Sequence, residues 1–133
     1  MLFQKTDKMR NGVFITFSGN CKKALQFYQN CFGGKLYFEA FKNEMNNYPE
    51  SPIIIGSLIS DMIVIHGSDL VHNEGRQVGN YLSIFLHCND AGDRKLLIHK
   101  LKVNRKITYT PDEIKQSLIE ITDAFDVRWI LAI

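Results

Sequence analysis

Apolar positions along the chain fall into short runs separated by polar turns. Val13-Phe14-Ile15-Thr16-Phe17 is mostly apolar on both faces, which predicts a short strand. Ser18-Gly19-Asn20 turns the chain, and Asn20 is suited to cap a helix. Ala24, Phe27, Tyr28 and Cys31 then recur at helical spacing and make one apolar face. Gly33-Gly34 is a helix stop. Residues 36–41, 53–59 and 62–66 follow as strand-like runs, the last two linked tightly at Ser60-Asp61.

The same order returns about 70 residues later. Residues 83–87 read as a strand, Asp90 takes the capping place of Asn20, and Asp93 sits in the first turn, where the helix dipole favours an anion. Leu97, Ile98 and Leu101 stand where Phe27, Tyr28 and Cys31 stood. Strands are expected to begin at Lys106-Ile107-Thr108-Tyr109 and to cover residues 118–121 and 127–133. Each half therefore reads β-α-β-β-β: module one over about 11–67, a linker over 68–78, and module two over about 79–133. One four-stranded module has a sheet face that it cannot cover alone, and a second copy supplies the cover. The linker, with His72, Asn73, Glu74 and Arg76, and the loop over 43–52 are long enough to be functional loops over a pocket mouth.

Composition narrows the class. Of 133 residues, 45% are hydrophobic and 23% charged, as in a soluble globular chain of one domain. A net charge of +2 makes no case for nucleic acid or an anionic membrane. No apolar run approaches the roughly 18 residues that span a bilayer. The first seven residues lack the pattern of a signal peptide, so the expected location is the cytoplasm. Cys21, Cys31 and Cys88 are odd in number and form no CxxC, which argues against disulfides and a zinc knuckle and for small buried thiols.

Several stretches carry a resemblance. The run from Phe17-Ser18-Gly19-Asn20 to Phe27-Tyr28, closing with Phe32-Gly33-Gly34, resembles the first module of PhnB-like proteins. These belong to the vicinal oxygen chelate superfamily, with glyoxalase I, bleomycin resistance proteins and extradiol dioxygenases. Asp123-Ala124-Phe125-Asp126-Val127-Arg128-Trp129 looks like the group's closing pattern of Asp, aromatic, Gly, Val, any residue, Trp. Gly67-Ser68-Asp69 and Asn80-Tyr81-Leu82-Ser83 also match in place. The resemblance implies an α+β fold: two tandem βαβββ modules forming a curved mixed sheet around a concave pocket, with the helices outside. It also implies a homodimer.

Metal-dependent members of the superfamily place His, Gln or Glu on four strands around one divalent ion, and several ligands must act together to hold it. The corresponding places here read Val13, Ser83 and Ile130, none of them a good ligand, leaving His66 on the fourth strand. The expectation is thus no metal and no cofactor. His66, Ser83 and His87 can converge as a two-His site or a His-Ser pair, or each histidine can be hydrogen-bonded separately near a strand end. Phe85 and Trp129 are the candidate aromatic lining, and Trp129 can wall a pocket with its flat face and donate through its N–H. Arg128 alternates with Trp129 and should point the other way, toward an acid. His99 and His72 are expected to be exposed.

No nucleophile elbow, P-loop or HExxH is present. A methyltransferase label sometimes given to PhnB-like chains would need a glycine-rich cofactor turn, and Ser18-Gly19-Asn20 has a single glycine. The reading is a protein that binds an unidentified small molecule, without a catalytic metal and with no nucleic-acid or membrane partner. The alternatives are a divalent-metal lyase or dioxygenase using His66 with unconventional partners, and an interaction protein with a collapsed pocket.

Overall fold

A computed structural model describes residues 10–40, 52–69, 78–102 and 111–133. The chain divides after Gln77 into two compact units. The first holds β1 (Val13–Thr16), α1 (Cys21–Phe32), β2 (Lys35–Ala40), β3 (Ile53–Ile59) and β4 (Val64–Ser68). The second holds β5 (Ile84–His87), α2 (Ala91–Leu101), a short helix α3 (Pro111–Ile114), β6 (Leu118–Thr122) and β7 (Arg128–Ala132).

In the first unit the sheet order is β1-β4-β3-β2, with β1 parallel to β4 and the other pairs antiparallel. Helix α1 buries Cys21, Ala24, Leu25, Tyr28 and Cys31. The expected apolar face is thus rotated slightly, with Leu25 buried and Phe27 only half-buried. A glycine pair lets α1 approach the sheet. Gly56 and Gly67 are cross-strand neighbours. A Cβ on Gly56 would lie 2.7 Å from Leu25 Cδ1, and one on Gly67 would lie 2.8 Å from the Phe17 ring. Beside them Leu58 and Ile65, also paired across strands, are fully buried. Gly33 ends α1 at φ 73°, its N–H donating to the Gln29 carbonyl at 2.7 Å.

The second unit repeats these pairings. Its sheet order is β5-β7-β6, with β5 parallel to β7 and β6 antiparallel to it. The parallel first-to-last pairing closes the same way in both: Phe17 N–H donates to the Ser68 carbonyl, and Cys88 N–H to the Ala132 carbonyl, each at 2.7 Å. Asp90 caps α2 as expected, its Oδ1 accepting the Asp93 N–H at 2.8 Å. The expected strand at 106–109 and most of the 43–52 loop lie outside the described residues, as do His72, Asn73, Glu74 and Arg76. Residues 111–114 form the one-turn helix α3. Among the described residues no helix is long and apolar enough to cross a membrane.

Candidate functional site

Strand pairing places one side chain from each strand of the first sheet in a transverse row. Phe14 pairs with His66, His66 with Ser57, and Ser57 with Tyr37. Gly56 and Gly67 alternate with Ser57 and His66 and face α1, so the row lies on the face away from α1. The next row on that face is Val64, Ile59 and Lys35.

His66 is held at both ring nitrogens. Nε2 lies 2.6 Å from the Arg10 carbonyl, and Nδ1 lies 2.6 Å from Ser57 Oγ. A carbonyl can only accept, so Nε2 carries the ring proton; Ser57 then donates to Nδ1. Ser57 is fully buried and Phe14 is 57% exposed. The serine that meets His66 within this unit is Ser57 on the neighbouring strand, a residue that the sequence reading does not single out. Nothing in the alternation of Ile53 to Ile59 marks Ser57 as a partner; cross-strand register makes it one.

A cleft of about 450 Å³ opens in this unit, lined by Arg10, Phe32, Gly34, Lys35, Tyr37, Ile59, Ser60 and Asp61. Lys35, Tyr37 and Ile59 come from the same sheet face as His66, and Arg10 is tied to His66 through its carbonyl. The sequence signal for these residues is weak: Lys35 and Tyr37 alternate with Leu36 and Phe38, which identifies a two-faced strand but not a cleft.

In the second unit Phe85 and His87 share one face of β5 with Ile130 and Ala132 of β7, and Phe85 is 60% exposed. Ser83 precedes β5 and is exposed. Trp129 faces the other way. It pairs with Ile84 and Ile121, is fully buried, and donates Nε1–H to Asp123 Oδ2 at 2.8 Å. Its flat face is spent on the core and its one donor on Asp123, so the described geometry does not place it as a pocket wall beside Phe85. Arg128 does point away from Trp129, as read, and pairs with Glu120 while donating to the Asn80 carbonyl at 2.6 Å. His99 is exposed, as read. His66 belongs to the first unit, and Ser83, Phe85, His87 and Trp129 to the second.

The superfamily's metal can be tested against these residues. Val13 pairs with Ile65, on the opposite face from His66; the β1 residue beside His66 is Phe14. By the same pairing the second unit puts Phe85 beside Ile130. Counting from the helix cap therefore selects Val13 and Ser83, one and two residues away from Phe14 and Phe85, which the register brings beside His66 and Ile130. Phenylalanine and isoleucine cannot ligate, and both nitrogens of His66 are engaged. The residues present do not fit a divalent-metal centre. Among the described residues no three His, Cys, Asp or Glu are grouped to hold an ion.

No protein-family model matches the chain, and no curated protein gives a significant match. Solved structures do. Protein PA1353 from Pseudomonas aeruginosa superposes with a TM-score of 0.64 at 22% identity, covering 93% of this chain and 96% of its own. The PhnB protein from Bacillus cereus gives 0.63 at 19%, covering 93% and 98%. A member of the glyoxalase/bleomycin resistance protein/dioxygenase superfamily from Sphaerobacter thermophilus gives 0.52 at 17%, covering 93% and 97%.

The chain has the PhnB-like vicinal oxygen chelate fold. Within that fold two of the motifs that carried the resemblance are architectural. Asp69, closing Gly67-Ser68-Asp69, is buried and accepts the N–H groups of Gly19, Cys21 and Ile53, each at 2.9 Å. It caps α1 from a distance, whereas the side chain of Asn20 makes no capping bond. Asp123 accepts the N–H groups of Phe125 at 2.8 Å and Val127 at 3.2 Å besides the Trp129 indole, and so shapes the β6–β7 turn. Asp126, standing where the vicinal oxygen chelate pattern has glycine, adopts φ 67°. Cys21, Cys31 and Cys88 are buried. Burial, and then the carboxylate of Asp69, push Cys21 from 9.0 up to about 12, and burial also raises Cys88.

Proposed function

We propose that the chain binds a small molecule in the cleft of the first unit, between Phe32 at the end of α1 and the Lys35–Ile59 pair of the sheet, and that it does so without a resident divalent metal. The observation that carries this reading is the engagement of His66. An ion at this ring would have to displace either the Arg10 carbonyl or the Ser57 hydroxyl, and its neighbour across the strand would be Phe14. The cleft supports binding, because about 450 Å³ falls within the range of small-ligand sites. The Ser57–His66 pair supports a structural role for that histidine over a catalytic one, since the hydroxyl is fully buried and turned to the ring.

Calorimetric titration with Mn²⁺, Ni²⁺ and Zn²⁺ tests the metal-free part. No stoichiometric heat is expected. One tightly held ion per chain, lost in His66→Ala, would replace this reading with a metal-dependent lyase or dioxygenase. A thermal-shift screen of small molecules tests the binding part: hits that raise the midpoint are expected. A screen without hits favours an interaction protein.

The reading also carries a homodimer. The exposed apolar side chains Tyr81, Leu82 and Phe85 support self-association. A sedimentation profile that stays monomeric at every concentration rejects it.

A further inference from the structure

We infer that the cleft in the first unit takes a small organic anion, its carboxylate or phosphoryl group held between Arg10 and Lys35 and its apolar body laid against Phe32 and Ile59. The inference rests on the small-molecule reading above and assigns that molecule a charge. Among the described residues two cations and one carboxylate, Asp61, line the cleft, an excess of one positive charge. Among the described residues neither Arg10 nor Lys35 makes an ion pair.

The cleft is also partly ordered in advance. The main chain at Arg10 is clamped by the His66 Nε2–H at 2.6 Å, which lowers the entropic cost of presenting that guanidinium. Lys35 is borne on β2, paired with Ile59, so ammonium and apolar wall sit side by side on one sheet face. Tyr37, two residues on, adds a phenol to the same face. An arginine suits either oxyanion through two parallel N–H donors, and a lysine adds a point charge. Asp61, on the turn after β3, opposes an anion and makes the assignment easy to test. Its removal should help.

The test is titration of the full chain with benzoate, phenyl phosphate, inorganic phosphate and, as a cationic control, benzamidine, read by calorimetry and by backbone amide shifts. Benzoate or phenyl phosphate is expected to bind and to move the amides of Gly34, Lys35, Tyr37 and Asp61. Arg10→Gln and Lys35→Gln should each weaken binding about fivefold at low salt, and Asp61→Asn should tighten it about twofold. Both cationic residues are exposed, so unchanged melting midpoints will show that the variants fold. If phenyl phosphate and inorganic phosphate compete while benzoate does not, the recognised group is phosphoryl. If benzoate binds as well as phenyl phosphate, it is the carboxylate class.

Tighter binding of benzamidine than of either anion overturns the inference. So does anion affinity unchanged in the Arg10→Gln/Lys35→Gln double variant, or no binding up to about 10 mM. A neutral ligand that shifts Phe14, Ser57 and His66 instead overturns the anion assignment while leaving the small-molecule reading in place. A stoichiometric metal ion would overturn the metal-free part of the proposed function and leave the anion assignment in place.

Discussion

The carboxylate of Asp69 receives the backbone N–H of Cys21 at 2.9 Å, so α1 is capped by a residue 48 positions later in the chain. The same side chain takes the N–H groups of Gly19 and Ile53 and thereby joins helix start, strand β3 and the end of β4. Asp69→Ala would leave three backbone donors without their acceptor. The expected loss is about 3 kcal/mol or more, and Asp69→Asn, which keeps one acceptor oxygen, should lose less. Urea unfolding of both variants measures this. Equal stability of the alanine variant and the parent would remove Asp69 from its structural role.

Cys21 makes stability depend on alkaline pH. Its thiol titrates from 9.0 up to about 12 in the folded chain, because burial and then Asp69 disfavour the thiolate. Above the lower value the unfolded chain loses a proton that the folded chain keeps. The contribution is therefore complete below about pH 9 and falls as pH rises toward the folded value, by about 1.4 kcal/mol per pH unit. Unfolding midpoints between about pH 8 and 11 should decline less steeply in Cys21→Ala. An identical decline in both proteins would assign the slope elsewhere.

Trp129 is the chain's single tryptophan, so its fluorescence reports one site. Full burial predicts emission that acrylamide scarcely quenches. Trp129→Phe deletes the bond to Asp123 and should cost about 2 kcal/mol. Strong acrylamide quenching in the native protein would place the indole at the surface.

Arg94 is fully buried on α2 and donates to the carbonyls of Ile114 at 2.6 Å and of Ser117 and Leu131 at 3.4 Å. The matching residue of α1 is Ala24. The guanidinium ties α2 to α3 and to the segments on either side of β6. Arg94→Ala leaves a void and takes a donor from the Ile114 carbonyl, while the Ser117 carbonyl keeps the Ile133 N–H, with an expected loss of about 3 kcal/mol. Arg94→Lys, whose compact ammonium cannot reproduce a planar fork, should recover only part of it. Chemical denaturation of the pair decides this; full recovery by lysine would mean that charge alone matters.

Local periodicity was enough to find the repeat. Apolar runs at strand spacing, a helical stripe through Tyr28 and Cys31, and the glycine stop after Phe32 are properties of neighbouring residues, and short-range sterics and burial settle them. The α+β class followed, as did the capping by Asp90 and the outward turn of Arg128. The site was far less legible. Which serine meets His66, which aromatic stands beside it, and whether Trp129 faces a ligand or the core all depend on strand register, and a one-residue step reverses every face. That step separates Val13 from Phe14, whereas Ser83 keeps the parity of Phe85 but falls two residues short of it, before β5 begins. Likewise the cap on α1 comes from Asp69 and not from Asn20, because hydrogen-bond geometry across the folded sheet, not proximity along the chain, selects the acceptor.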